Sequence, residues 1–150
     1  MSDERFSICG ESGNFLQITI SEVYGFPESV SFWGGYELRV ILEIKSSGFQ
    51  ATSLLWTTTH ELFLLYQELL QCNNLLTGSA KYSSYEHNLE FEANYDNMGR
   101  VIISGRFAEQ MGPNNVLDFE FQTDQSFIQA TIFQLQKIAS KYGGIKDVIQ

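Results

Sequence analysis

A chain of 150 residues with 43% hydrophobic and 14% aromatic content is long enough to bury a core and too apolar to be disordered; a single domain spanning 1–150 is expected. Eighteen acidic residues against nine basic ones leave a net charge of −9. That balance argues against direct nucleic-acid binding, which needs clustered Lys and Arg, and favours a basic protein partner.

The chain begins MSDERFSICGESG, with no basic segment followed by an apolar one, so no signal peptide is expected. No apolar run approaches the ~18 residues of a membrane helix, so no membrane contact is expected either. Cys9 and Cys72 have no zinc-type or disulfide-type spacing; they read as small buried thiols of a reducing cytoplasm. Leu16, Ile18 and Ile20 then alternate with Gln17, Thr19 and Ser21, the pattern of a strand with one dry face. The interval 25–35 is longer than a tight turn needs and carries Phe26, Pro27, Phe32 and Trp33. Alternation resumes with Tyr36, Leu38, Val40, Leu42 and Ile44 set against Glu37, Arg39, Ile41, Glu43 and Lys45. SSGF at 46–49 turns the chain into a strand ending at Trp56.

Thr58 and Glu61 have capping-box spacing and open a helix whose stripe is Leu62, Leu65, Tyr66, Leu69 and Leu70, punctuated by Asn73, Asn74 and Gly78. Leu89, Phe91, Ala93 and Tyr95 alternate with Glu90, Glu92, Asn94 and Asp96, and the Asp96, Asn97 and Gly99 turn leads to a strand around 101–109. The link 109–116 precedes a further strand with Leu117, Phe119 and Phe121 facing one way. Thr123 or Asp124 caps a second helix with stripe Phe127, Ile128, Thr131, Ile132, Leu135 and Ile138, ended by the YGG at 142–144. The halves match at an offset of about 65 residues, Thr58 on Thr123 and Leu62 on Phe127, a period that suggests a duplicated unit. The expected class is α+β: antiparallel strands in two pseudo-repeated halves, about 14–78 and 79–143, each a run of strands and then a helix packed on the sheet.

Catalytic chemistry is hard to find. The two histidines, His60 in a helix's first turn and His87 in a turn-like link, both read as solvated; no nucleophile elbow, zinc motif or phosphate loop appears. Glu90 with Glu92, and Asp118 with Glu120, are paired carboxylates that would suit acid–base work inside a cleft. They alternate with core positions, however, so a solvated strand face is the simpler reading. A non-enzymatic protein without cofactor or metal is expected. The aromatics of 25–36 either plug an open end of the core or serve as binding anchors among Glu22, Glu28 and Glu37.

An ordered set of motifs points further. GFP at 25–27 leads to WGGY at 33–36, SYEHNL at 84–89, GRF at 105–107, NNVLDFEFQTDQSF at 114–127 and KYG at 141–143. In that order the chain resembles the small bacterial immunity proteins of the WapI type, with Phe127 where tyrosine is expected. The resemblance implies a cytoplasmic inhibitor that protects its own cell by binding a cognate toxin domain. Such toxins sit at the C-terminal ends of large polymorphic proteins of the contact-dependent inhibition kind, and many are nucleases. The expected contact set is Glu22, Glu28, Trp33, Glu37, Tyr85, Glu86, Glu90 and Glu92, on a monomer or weak dimer. The alternative is a non-catalytic adaptor or chaperone for a secreted partner.

Overall fold

The computed structural model describes residues 4–109 and 115–143. Its strands are β1 (Arg5–Cys9), β2 (Phe15–Tyr24), β3 (Glu37–Ser46) and β4 (Phe49–Thr58), followed by helix α1 (Thr59–Leu75). Then come β5 (Ser79–Ser83), β6 (Leu89–Tyr95), β7 (Arg100–Ala108), β8 (Val116–Asp124) and helix α2 (Gln125–Tyr142). Each group of four strands forms its own antiparallel sheet in chain order, β1-β2-β3-β4 and β5-β6-β7-β8. The fold is therefore α+β, antiparallel strands in two halves that each end in a helix, as the sequence predicted; the chain-order meander within each sheet is what the structure adds.

Strand faces fall where the period placed them. Leu16, Ile18, Leu38, Val40, Leu42 and Ile44 are buried from the first sheet, and Leu89, Phe91, Val101, Ile103, Phe119 and Phe121 from the second. The two inner faces and the stripes of both helices merge into one apolar cluster. Phe127, assigned to the α2 stripe, instead lies exposed at the helix start. Cys72 is buried as expected, but Cys9 is exposed on the outer face of β1, opposite Phe15. Most of the predicted 109–116 link and Gly144 lie outside the described residues.

The helix caps show how the halves correspond. Thr58 accepts from Glu61 N–H at 3.2 Å while Glu61 Oε1 accepts from Thr58 N–H at 3.2 Å, a complete capping box. In the second half Asp124, not Thr123, is the cap, accepting from Phe127 N–H at 3.0 Å. The structural offset is thus one residue longer than the one read from sequence. With that shift, buried Leu55, Leu62 and Leu69 fall on buried Phe121, Ile128 and Leu135. The shorter offset had set Leu54, half-exposed, on buried Phe119.

Each helix packs beside the first strand of the other sheet. Glu68 of α1 accepts from Lys81 N–H of β5 at 2.8 Å, and Gln134 of α2 accepts from Ser7 N–H of β1 at 2.8 Å. Glu68 and Gln134 hold equivalent places after their caps, so the same side-chain device closes both sheet edges. Buried hydroxyls tie the sheets together: Tyr82 donates to Thr57 Oγ1 at 2.6 Å, and Thr123 donates to Cys9 O at 2.6 Å.

Candidate partner-binding site

The aromatic loop divides its side chains between two tasks. Its C-terminal end is fastened to the start of α1. Tyr36 N–H donates to Thr59 Oγ1 at 2.8 Å, and Thr59 N–H donates to Tyr36 O at 2.9 Å. Gly35 sits at φ +62, and a Cβ there would come within 2.4 Å of Thr59 Oγ1 and 2.6 Å of His60 N. Only glycine lets the backbone lie this close in that conformation. The approach also shields His60, whose Nδ1 is buried without a hydrogen-bond partner and whose pKa is lowered by burial; a freely solvated His60 was expected.

Inward, Tyr36 is buried, and Phe26 lies edge-on to both Tyr36 (5.1 Å) and Tyr142 (5.0 Å). These rings close the end of the core against α2. Outward, a tight turn bonded from Ser31 N–H to Gly35 O at 2.7 Å projects Phe32 and Trp33, which are 91% and 51% exposed. Phe32 meets Trp33 edge-to-face at 5.1 Å, and Trp33 stacks on Tyr85 at 5.3 Å and 10°. Tyr85 in turn donates its hydroxyl to Glu37 at 2.5 Å; burial first, and then that carboxylate, push the phenol pKa upward. The loop is therefore both plug and projection.

Three of the eight expected contact residues, Trp33, Glu37 and Tyr85, form this chain of direct contacts from three separate segments. Glu86 is exposed in the same β5–β6 turn as Tyr85. His87 in that turn is solvated as expected, at φ +61, with Nδ1 3.4 Å from Glu90 Oε2. Glu22 stands opposite Arg39 on the neighbouring strand and pairs with it at 3.7 Å, also accepting from Tyr24 OH. Glu28 is exposed on the far limb of the loop.

Glu90 and Glu92 do point away from the core, yet the surface they occupy is concave. Helix α1 stands beside β5, and between them lies an open cleft of about 590 Å³. Glu90, Glu92, Lys81 and Arg106 line it from the sheet, and Glu61, Leu64 and Glu68 from the helix. Glu61 is the group that sequence reasoning took only as a cap. It accepts from Thr57 Oγ1 at 2.5 Å, from Thr58 N–H and from Tyr85 N–H, and each of these bonds favours the carboxylate. Burial outweighs them and lifts its pKa to about 7. Glu61 thus joins the aromatic platform, through Tyr85, to the cleft.

Among the described residues, no three of His, Cys, Asp and Glu come together in a way that could hold a metal ion. No helix among them is long and apolar enough to cross a membrane. Fold and surface together define an α+β protein that gathers exposed aromatics and carboxylates where the ends of its two sheets meet the start of α1. The chain belongs to the immunity protein WapI-like family, whose model matches residues 7–143. Membership supports a toxin-neutralising immunity role. No curated protein and no solved structure gives a significant match.

Proposed function

We propose that the protein binds and neutralises a basic toxin domain, a nuclease by preference, with the surface built on Phe32, Trp33, Tyr85 and Glu37 and continued by Glu86, Glu90 and Glu92. The observation that carries this reading is the exposed Trp33 ring stacked on Tyr85, with the still more exposed Phe32 edge-on beside it. Large rings already fixed in place lose little freedom on binding and are the usual energetic anchors of interfaces. Carboxylates around them attract a surface evolved to hold phosphates and speed its approach. In this reading the protein acts by occlusion and turns over no substrate.

The test is co-expression with a basic C-terminal toxin domain from the same genome. Growth is restored by the wild type, and Trp33→Ala raises the dissociation constant at least about 30-fold while leaving the melting temperature unchanged. Association slows as salt rises. A Trp33→Ala variant that binds as tightly as wild type refutes the assigned surface. The cleft favours a second reading, a small-molecule site using Glu61 as acid and Glu90 or Glu92 as base. A ligand-dependent shift in melting temperature that Glu90→Gln abolishes would support it.

A further inference from the structure

Of the four strands that end the two sheets, two are closed by the opposite helix: β1 by Gln134 and β5 by Glu68. The other two, β4 and β8, have among the described residues one strand neighbour each, β3 and β7 respectively. They are not alike. β8 carries Asp118, Glu120 and Asp124, charges that repel a second copy of the same strand. β4 reads FQATSLLWTT, ten residues without a charge, a proline or a glycine, and its register against β3 runs without a bulge. Long, regular, uncharged edges are what sheet proteins avoid unless something pairs with them.

The solvent-facing side of this edge is apolar at Leu54 and Trp56 and uncharged but polar at Gln50 and Thr52. Leu54 and Ile41 face one another across β4 and β3 and are 50% and 37% exposed. Trp56 stands next along the same face, covered on one side by Tyr24 at 5.7 Å. The two-residue turn at Ser47 and Gly48 makes Ser46 and Phe49 the closing bonded pair, so alternate residues from Phe49 onward bond to β3. The intervening residues Gln50, Thr52, Leu54 and Trp56 turn their N–H and C=O groups outward.

We propose that β4 is a homodimerisation edge, on which two copies of this chain pair their β4 strands antiparallel about a two-fold axis through Leu54. Leu54 then bonds to its own counterpart, and Trp56 lies opposite Thr52 of the second copy. The Ile41–Leu54 row doubles into a continuous apolar band across the joint, and two four-stranded sheets become one of eight strands. Charge selects a second copy over the toxin as occupant. A basic partner is drawn to carboxylates, which β4 lacks, whereas a copy of β4 meets no like charge on the strand despite the net charge of −9. A closed two-fold joint also removes the edge from further pairing.

The experiment is analytical ultracentrifugation of the full chain alone, from about 1 µM to about 500 µM, a range that brackets weak association. The mass is expected to rise from 17.1 kDa to twice that value. Leu54→Lys sets two ammonium groups against each other and is expected to weaken the dimer at least about tenfold, with an unchanged circular dichroism spectrum. In a Cys9→Ser background, Leu54→Cys is expected to form a disulfide-linked dimer under mild oxidation, since bonded cross-strand pairs stand about 5.5 Å apart at Cα. Val116→Cys on β8 should not. A single 17.1 kDa species at every concentration overturns the proposal, as does a dimer indifferent to Leu54→Lys. A monomer whose toxin affinity falls with Leu54→Lys overturns it too, and assigns the edge to a strand of the toxin. Because the dimer is measured without toxin, its absence leaves the immunity reading standing.

Discussion

Glu61→Gln separates two roles that one side chain performs. As a cap, Glu61 accepts from Thr58 N–H, Thr57 Oγ1 and Tyr85 N–H; as a charge, it is held out of water with a pKa of about 7 against an ordinary 4.5. Protonatable neighbours on the packed elements are Tyr82 on β5 and Tyr85, Glu86 and His87 in the β5–β6 turn, with Glu37 reached through Tyr85. A carboxyl whose pKa is raised on folding is neutral in both states below about 4.5. Between about 4.5 and about 7 the folded state holds a proton that the unfolded state has released, so stability falls as pH rises through that window and levels off above it. At about 1.4 kcal/mol per pH unit, the loss reaches about 3 kcal/mol above neutrality. Gln keeps one accepting oxygen and forfeits at most one bond, about 1 kcal/mol at all pH values. Urea unfolding of both proteins from about pH 5 to about pH 8 should therefore give a wild-type-minus-variant difference that declines by about 2.5 kcal/mol across that interval. The variant is slightly the less stable at the acid end and clearly the more stable at the alkaline end. A difference that stays flat would refute the account, because it would mean that the three accepted bonds, and not burial, set the proton affinity of Glu61.

Two further outcomes follow from backbone geometry. Gly35→Ala should destabilise the fold by roughly 1–3 kcal/mol, since the new Cβ meets Thr59 and His60 at a positive φ, and should lower toxin affinity by releasing Trp33 from Tyr85; thermal melts and calorimetry read the two effects separately. Thr58→Ala and Asp124→Ala remove equivalent caps and should each cost about 1 kcal/mol in urea unfolding, with toxin affinity falling only for Thr58→Ala because α1, and not α2, starts beneath the aromatic loop.

The elements that were legible in the sequence are those long enough to display a period. β2, β3, β6 and β8 alternate over seven to ten residues and came out on the right faces. β1 and β5 have five residues each and only two buried apolar side chains apiece, Phe6 with Ile8 and Ala80 with Tyr82. Two positions cannot establish an alternation, so neither strand is legible in the sequence, nor, with them, is the start of the first sheet ahead of residue 14. The missing strands also hid the cleft. Glu90 and Glu92 were correctly placed on an outer face, but whether that face is flat or walled depends on α1 standing beside β5, a long-range contact that no local pattern encodes. Trp33, Tyr85 and Glu37 are each legible as candidates from charge and aromatic content, while their union rests on the turn at 31–35 and on the β5–β6 turn lying beside it.

The contrast between the two outer faces explains why the proposed contact surface sits at their junction. The second sheet carries Lys81, Glu90, Glu92, Arg106, Asp118 and Glu120 on its outer side, where cross-strand neighbours such as Lys81 with Glu92 and Glu90 with Arg106 partly offset one another. Such a face attracts a charged partner from a distance but anchors it weakly, because exposed pairs contribute little. The first sheet adds an apolar patch of Tyr24, Ile41, Leu54 and Trp56 beside charges of both signs, Glu22 with Arg39 and Glu43 with Lys45, and rings and aliphatic side chains of that kind anchor better than exposed ion pairs do. Only at the start of α1 do the two characters meet: Trp33 and Phe32 stand on a glycine-fastened turn, and Tyr85 bridges them to Glu37 and Glu61. An inhibitor that must arrive quickly and leave slowly needs carboxylates for the first and fixed rings for the second. A fold repeated twice, with each helix crossing to the other sheet, brings the two faces close enough to supply both from one surface.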